Sequence, residues 1–351
     1  MRNPARSCQL PIYFPSPIIT YLHYANILSM ALTNENVKPL FYTYYIQMSF
    51  NKQRMNRIDF FPSIFAWTDN AVLKFIDVTG NDFLMNEPDI LERIFQWINE
   101  ETYIVCYLSD HLINDVFDHK QSMKMIHPFL ISGYNRDREL LYSQCFNMKR
   151  HYTKTEIRFE DFYRSIRSEE SIALLKSPPY NRSYSIGYEI QLYKIRKDFH
   201  YPFNKEITKR EIENFLMSRN SSLDYALFYP VEKNSYWGLD ISNGIIDYLN
   251  TLEDVFDIRI FHCIREMISL WKDRCAFLAE QKLIRLEDHL DDFQVLEQKA
   301  EWLRMQALKL ENHFYRKSEM DYSPQIDEMI LSIRELFQGQ KEAIGRVHEN
   351  L

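Results

Sequence analysis

The stretch MIHPFLISGYNRDRELLYSQCF, Met125 to Phe146, decides how the first half of this 351-residue chain is read. An apolar run opens at His127-Pro128, closes at Gly133-Tyr134-Asn135, passes through the charged turn RDRE, and comes back as the run ELLYS at 139–143. Two runs of strand length joined by a polar turn predict neighbouring antiparallel strands. Three further segments read as strands by the same signals: VLKFIDV at 72–78, TYIVCYL at 102–108 and YEIQLYKI at 188–195. Between them EPDILERIFQWINEE from Glu87 and RFEDFYRSIRS from Arg158 read as helices. The strands cluster and do not alternate regularly with helices, which predicts an α+β domain over residues 1–200, not a doubly wound sheet.

At the N-terminus, FPSPIITYLHYANILSMAL predicts a helix beginning after Ser16, because a serine before a proline supplies both an N-cap and a first helical residue. From about Asn204 the character changes. Phe261, Ile264, Ile268, Trp271, Cys275 and Leu278 recur at steps of three and four, as do Leu286, Leu290, Phe293, Leu296, Ala300, Leu303, Ala307 and Leu310. A third stripe follows the start signal Ser323-Pro324, with Ile326, Ile330, Ile333, Phe337, Ile344 and Val347. Such stripes form a core, so residues 201–351 are expected to be a mainly helical domain packed as an antiparallel bundle. The linker-like stretch LKSPPYNRSYS at 175–185 and YPFNKEIT at 201–208 are the candidate boundaries.

Composition narrows the function classes. A net charge of −7 without a basic block argues against binding nucleic acid through its phosphates. There is no G-x-G-x-x-G or Walker motif, so neither ATP nor NAD is expected, and no cofactor or metal is expected at all. Five scattered cysteines (Cys8, Cys106, Cys145, Cys263, Cys275) form no C-x-x-C pair, which fits a reducing cytoplasm better than export. No apolar run reaches the roughly 18 residues of a membrane span, and a soluble protein is expected.

ETYIVCYLSDHLIND, then the loop with His119, then HPFLISGYNRDRELLYSQCFNMKRHYTKTEIRFEDFYRSI resembles the second half of a papain-like cysteine-peptidase core. In such cores a histidine opens a strand, a Gly-Tyr turn follows, and an Asp or Asn lies on the return strand. More narrowly, the chain resembles the bacterial family of the butirosin biosynthesis protein H. Its later segment YWGLDISNGIIDYLNTLE and the helices after it are similar to that family's C-terminal region.

The resemblance implies a papain-like first domain, a role in antibiotic or nonribosomal-peptide biosynthesis, and acyl or aminoacyl transfer from a carrier-protein thioester to an amine. It also implies a thiolate at a helix N-terminus paired with a histidine. His127 matches the family's histidine. Gln144 stands where the family carries Asp, and its amide retains an orienting hydrogen bond without the charge. The expected cysteine is missing from the first helix. Ser16, at the predicted helix start, is either a cap or a replacement nucleophile. Tyr21 falls where a looser alignment places the cysteine and would fill the substrate site, with Tyr134 as its second candidate. Cys106 and Cys145 read as structural, and Asp110-His111 and Asp118-His119 as solvated loop. Three functional readings follow: acyl transfer with His127 deprotonating the acceptor directly, a pseudoenzyme that binds peptide, acyl chain or carrier protein, or a helical scaffold that self-associates through its C-terminal helices.

Overall fold

A computed structural model describes residues 5–51, 57–61, 73–78, 89–114, 126–147, 149–171, 190–227, 231–252, 256–316 and 322–351. They form two compact units. The first comprises 1–37 and 65–200, the second 38–64 and 201–351. The division expected at residue 200 therefore needs amending, because residues 38–64 belong with the C-terminal part. The expected linker at 175–185 lies outside the described residues. Both units combine helices with antiparallel sheet, an α+β architecture with a helical C-terminal region. Among the described residues no helix is long and apolar enough to cross a membrane.

The first unit is built on a seven-stranded sheet. Its strands are β1 (Ser7–Gln9), β4 (Leu73–Val78), β5 (Tyr103–Ser109), β6 (Ile126–Asn135), β7 (Leu140–Phe146), β8 (Tyr152–Arg158) and β9 (Ile190–Ile195). They run in the order β4-β9-β5-β6-β7-β8, with β1 added to the end of β6, and every pairing is antiparallel. RDRE forms the β6–β7 turn as expected. Phe129 to Tyr134 are all buried, which explains an uninterrupted apolar run in place of an alternating one: both faces of β6 are covered.

On one face lies helix α1 (Leu22–Ala31), which packs Leu22 and Ala25 against Tyr152. It starts six residues after Ser16. Tyr21 is its N-cap and makes no side-chain capping bond, while the Ser16 hydroxyl donates to the Ile18 carbonyl at 3.1 Å. Ser16 is thus neither cap nor helix start, a correction to the sequence reading. On the other face the helix at Ile90–Asn99, α3, packs Phe95 against Tyr134 with ring centroids 4.3 Å apart and the rings tilted by 38°. Asp89 caps it by accepting from the Glu92 N–H at 3.2 Å. Helix α4 (Phe159–Ile166) follows β8 directly.

The second unit opens with α2 (Lys38–Tyr44) and a three-stranded sheet in which β2 (Gln47–Asn51) lies between β3 (Arg57–Phe61) and β10 (Ser235–Trp237). Helices α5 (Lys205–Leu216) and α6 (Ile241–Asn250) precede three long ones, α7 (Arg259–Glu280), α8 (Leu290–Arg316) and α9 (Ser323–Asn350). The ion pairs give their directions. Arg265 meets Glu301 while Lys272 meets Glu297, and Lys299 meets Glu335 while Arg346 meets Asp292, so each neighbouring pair is antiparallel. The apolar stripes face inward, with Trp271 stacked on Phe293 at 6.1 Å. Each such side chain contributes on the order of 1.5–3 kcal/mol through burial.

Glu211 on α5 is an ionisable exception, 1% exposed. Burial raises its pKa, Arg210 opposes the shift, and Asp224 adds to it. The folded-state value lies above that of an unfolded glutamate, so the native state binds the proton more tightly. The carboxyl is tolerated in acid, and its cost grows as pH rises through the ordinary glutamate range to the folded value. Glu211→Gln should therefore stabilise the protein increasingly as the pH rises from about 4 toward the raised folded value, by roughly 2–4 °C in Tm per kcal/mol relieved. Melting curves of both proteins across that range check this, and a difference independent of pH would contradict it.

Candidate active site

The β5–β6 register pairs Leu108 with His127 and Ser109 with Ile126. Just beyond, the chain makes a single 3-10 turn, Asp110–Leu112, which places Asp110 next to His127. Asp110 Oδ2 and His127 Nδ1 are hydrogen-bonded, with the aspartate side chain 2% exposed and the imidazole 29%. An ionised carboxylate can only accept, so Nδ1 carries the proton and Nε2 is the basic nitrogen of the ring. This is the geometry in which a carboxylate fixes the tautomer and orientation of a general base and stabilises the imidazolium formed on proton transfer. The neighbouring His111 is held through Nδ1 by the Ser109 hydroxyl at 2.9 Å.

Strand alternation assigns His127 to the face that carries Leu108 and Phe129. Pro128 points the other way, toward α1, where it shares a cleft with His23, Asn26 and Ile27 of that helix and with Tyr107 and Gln191. Asn26 crosses from α1 to donate to the Pro128 carbonyl at 3.3 Å, and its Oδ1 accepts from the Tyr152 hydroxyl at 3.0 Å. The Pro128–Phe129 peptide, one residue beyond His127, is therefore held by a side chain of α1.

The other residues singled out in the sequence are placed as follows. Gln144 pairs with Leu130, not with His127; it is 1% exposed and its amide donates to the Ser132 hydroxyl at 3.1 Å. The orienting partner of the histidine is Asp110, which the sequence reading had assigned to solvated loop. Ser16 is bonded to its own segment on the N-terminal side of α1. Tyr21 is 9% exposed at the start of α1 and stacks on His23 at 5.4 Å. Tyr134 is wholly buried, with its hydroxyl donating to Asn99 Oδ1 at 3.0 Å, so it is a core residue and not a substrate contact. Asp118 and His119 lie outside the described residues.

The described thiols of this unit are poor nucleophiles. Cys8 on β1 pairs with Tyr134, seven residues along β6 from His127 and so about 23 Å away at roughly 3.3 Å per residue. Cys106 is fully buried, and burial pushes its thiol far up. Cys145 is 1% exposed and pushed up to about 12, chiefly by burial and further by the charge of Asp110, while its sulfur donates to Thr155. Neither is a thiolate near neutral pH. Among the described residues no group of His, Cys, Asp and Glu is arranged to hold a metal ion.

The missed signal for Asp110 was positional. It follows an apolar strand whose antiparallel neighbour begins with the histidine, and that register brings the two together across seventeen residues of sequence. No protein-family model matches the chain, and no curated protein matches it.

Proposed function

We propose that this chain is an acyl-transfer enzyme of specialised-metabolite biosynthesis, in which His127 oriented by Asp110 acts as a general base and no covalent acyl-enzyme forms. The observation that carries the reading is the hydrogen bond between a buried carboxylate and a part-exposed imidazole. Nε2 removes the proton from an amine as its nitrogen attacks the thioester carbonyl. The C–N bond forms, the C–S bond breaks, and the imidazolium returns the proton to the departing thiolate. The acyl donor is a carrier-protein thioester, as the family resemblance implies. The papain-like reading of the first unit is supported by a histidine opening a strand and a helix packed across an antiparallel sheet.

Acyl N-acetylcysteamine thioesters presented with a panel of amines test it, with free thiol and amide product both measured. Alkylating the accessible thiols beforehand should leave turnover intact, and His127→Ala should abolish it. Loss of activity on alkylation, or activity in His127→Ala, would refute the direct mechanism.

The burial of Cys106 and Cys145, and the placement of α1 against the opposite face of β6 from His127, favour a second reading: a binding protein without chemistry. It predicts that His127→Ala alters only the affinity for a carrier protein or acyl chain, with no turnover in either form.

A further inference from the structure

We propose that Ser165 is a positioning residue for Asp110, an inference that rests on the His127–Asp110 reading above. β9 pairs with β5 only from Tyr103 to Val105, so the end of β5 has no strand on that side among the described residues. The Ser165 hydroxyl, on α4, takes the place of one. It accepts from the Ser109 N–H at 2.7 Å and donates to the Ser109 carbonyl at 3.1 Å, so a single atom holds both backbone groups of the residue before Asp110. A hydroxyl donates and accepts strongly from a single atom, which a thiol does only weakly and a methyl group not at all.

Both serines are wholly buried, so water does not substitute for either bond. Ser165 is itself anchored, because the Ser171 hydroxyl donates to its carbonyl at 2.8 Å and is bonded in turn by Ser168 at 3.0 Å. Asp110 therefore starts its turn from a backbone fixed on both polar groups. A carboxylate displaced by about 1 Å would lose its bond to Nδ1, and orientation of that order governs base catalysis.

The test is low-field proton NMR of the full chain labelled with ¹⁵N-histidine. A downfield Nδ1–H resonance is expected from the Asp110–His127 bond, lost in His127→Ala, which assigns it, and lost in Asp110→Asn. In Ser165→Ala the resonance should move upfield and broaden as solvent exchange quickens, and Ser165→Thr, which keeps the hydroxyl, should restore it. Circular dichroism establishes that each variant is folded. Should Ser165→Ala fail to fold, Ser165→Cys, near in size and weaker as donor and acceptor, should give a partial shift. A resonance unchanged in position and width in folded Ser165→Ala or Ser165→Cys overturns the proposal while leaving the Asp110–His127 pair standing. A wild-type spectrum without the resonance, or one that survives Asp110→Asn, overturns the pair itself.

Discussion

Asp110→Asn should lower turnover of the His127-dependent reaction by roughly 10³–10⁴-fold while leaving the fold intact. The substitution preserves volume at a site where the side chain is 2% exposed. An amide, however, can turn its NH₂ toward Nδ1. That arrangement selects the tautomer with the proton on Nε2, which makes the outward nitrogen a donor when an acceptor is required. It also removes the charge that stabilises the imidazolium. Asp110→Ala should be comparably inactive and less stable, because it leaves a small void beside the Ser109–Leu112 turn. The measurement is kcat for thioester aminolysis together with Tm for both variants. Turnover within a few-fold of wild type in Asp110→Asn would mean that the carboxylate does not govern the ring.

The largest stability effect is expected at Arg274, in the second unit. This side chain is wholly buried on α7, and its guanidinium donates to the carbonyls of Tyr42 at 2.8 Å and Tyr45 at 2.5 Å while lying 4.5 Å from the Trp271 ring centroid. Those carbonyls belong to the C-terminal end of α2, where helical partners run out. Arginine here serves as a cap delivered from a distant helix, with its charge complementing the negative end of the α2 dipole. Burial pulls its pKa down to about 10, so the cation persists at neutral pH but is disfavoured there.

Two effects therefore compete when Arg274 is replaced. Removing a buried cation is favourable, whereas leaving the two carbonyls without their donor costs about 1–3 kcal/mol for a buried one and less for the part-buried one at Tyr42. The second prevails because Tyr45 is buried, so its carbonyl loses its partner without gaining water. Arg274→Met, which keeps the stem, should cost roughly 2–4 kcal/mol, and Arg274→Ala roughly 3–5 kcal/mol, a fall of about 6–20 °C in Tm for the latter. Thermal and urea unfolding of both variants separate the polar loss from the packing loss. A methionine variant as stable as wild type would show that the cap is dispensable.

The parts of the fold that could be read from sequence are those with a strong internal period. Helices α7, α8 and α9 announced themselves by steps of three and four, and the Ser323-Pro324 signal marks where α9 begins. The β5, β6 and β7 segments were visible as bounded apolar runs. The first helix was misplaced because the serine-proline signal is local, whereas Ser16 spends its hydroxyl on Ile18 and the helix waits until Leu22. Residues 38–64 escaped notice because β2 is short and its partner β10 is nearly two hundred residues away. At the site, the histidine was legible and its partner was not. Gln144 was chosen from its place in the return strand, but the turn and the bulge between Ile131 and Gly133 set it opposite Leu130. Asp110 needed the register of a different strand pair, which composition alone does not reveal.

The chain's passage between its two units bears on its synthesis. It leaves the first after residue 37, returns after 64 and leaves again after 200. On the ribosome, α2 and the β2–β3 hairpin emerge early, yet β2 waits for β10, whose register sets Phe50 beside Tyr236. During that interval Met48 and Phe50, wholly buried in the finished protein, border an open strand edge. At about 5–20 residues per second the wait lasts on the order of ten seconds or more. A nascent chain stalled near residue 200 would thus hold an incomplete second unit and present a natural ligand for a holdase, and a fragment ending there would be expected to aggregate where the full chain does not.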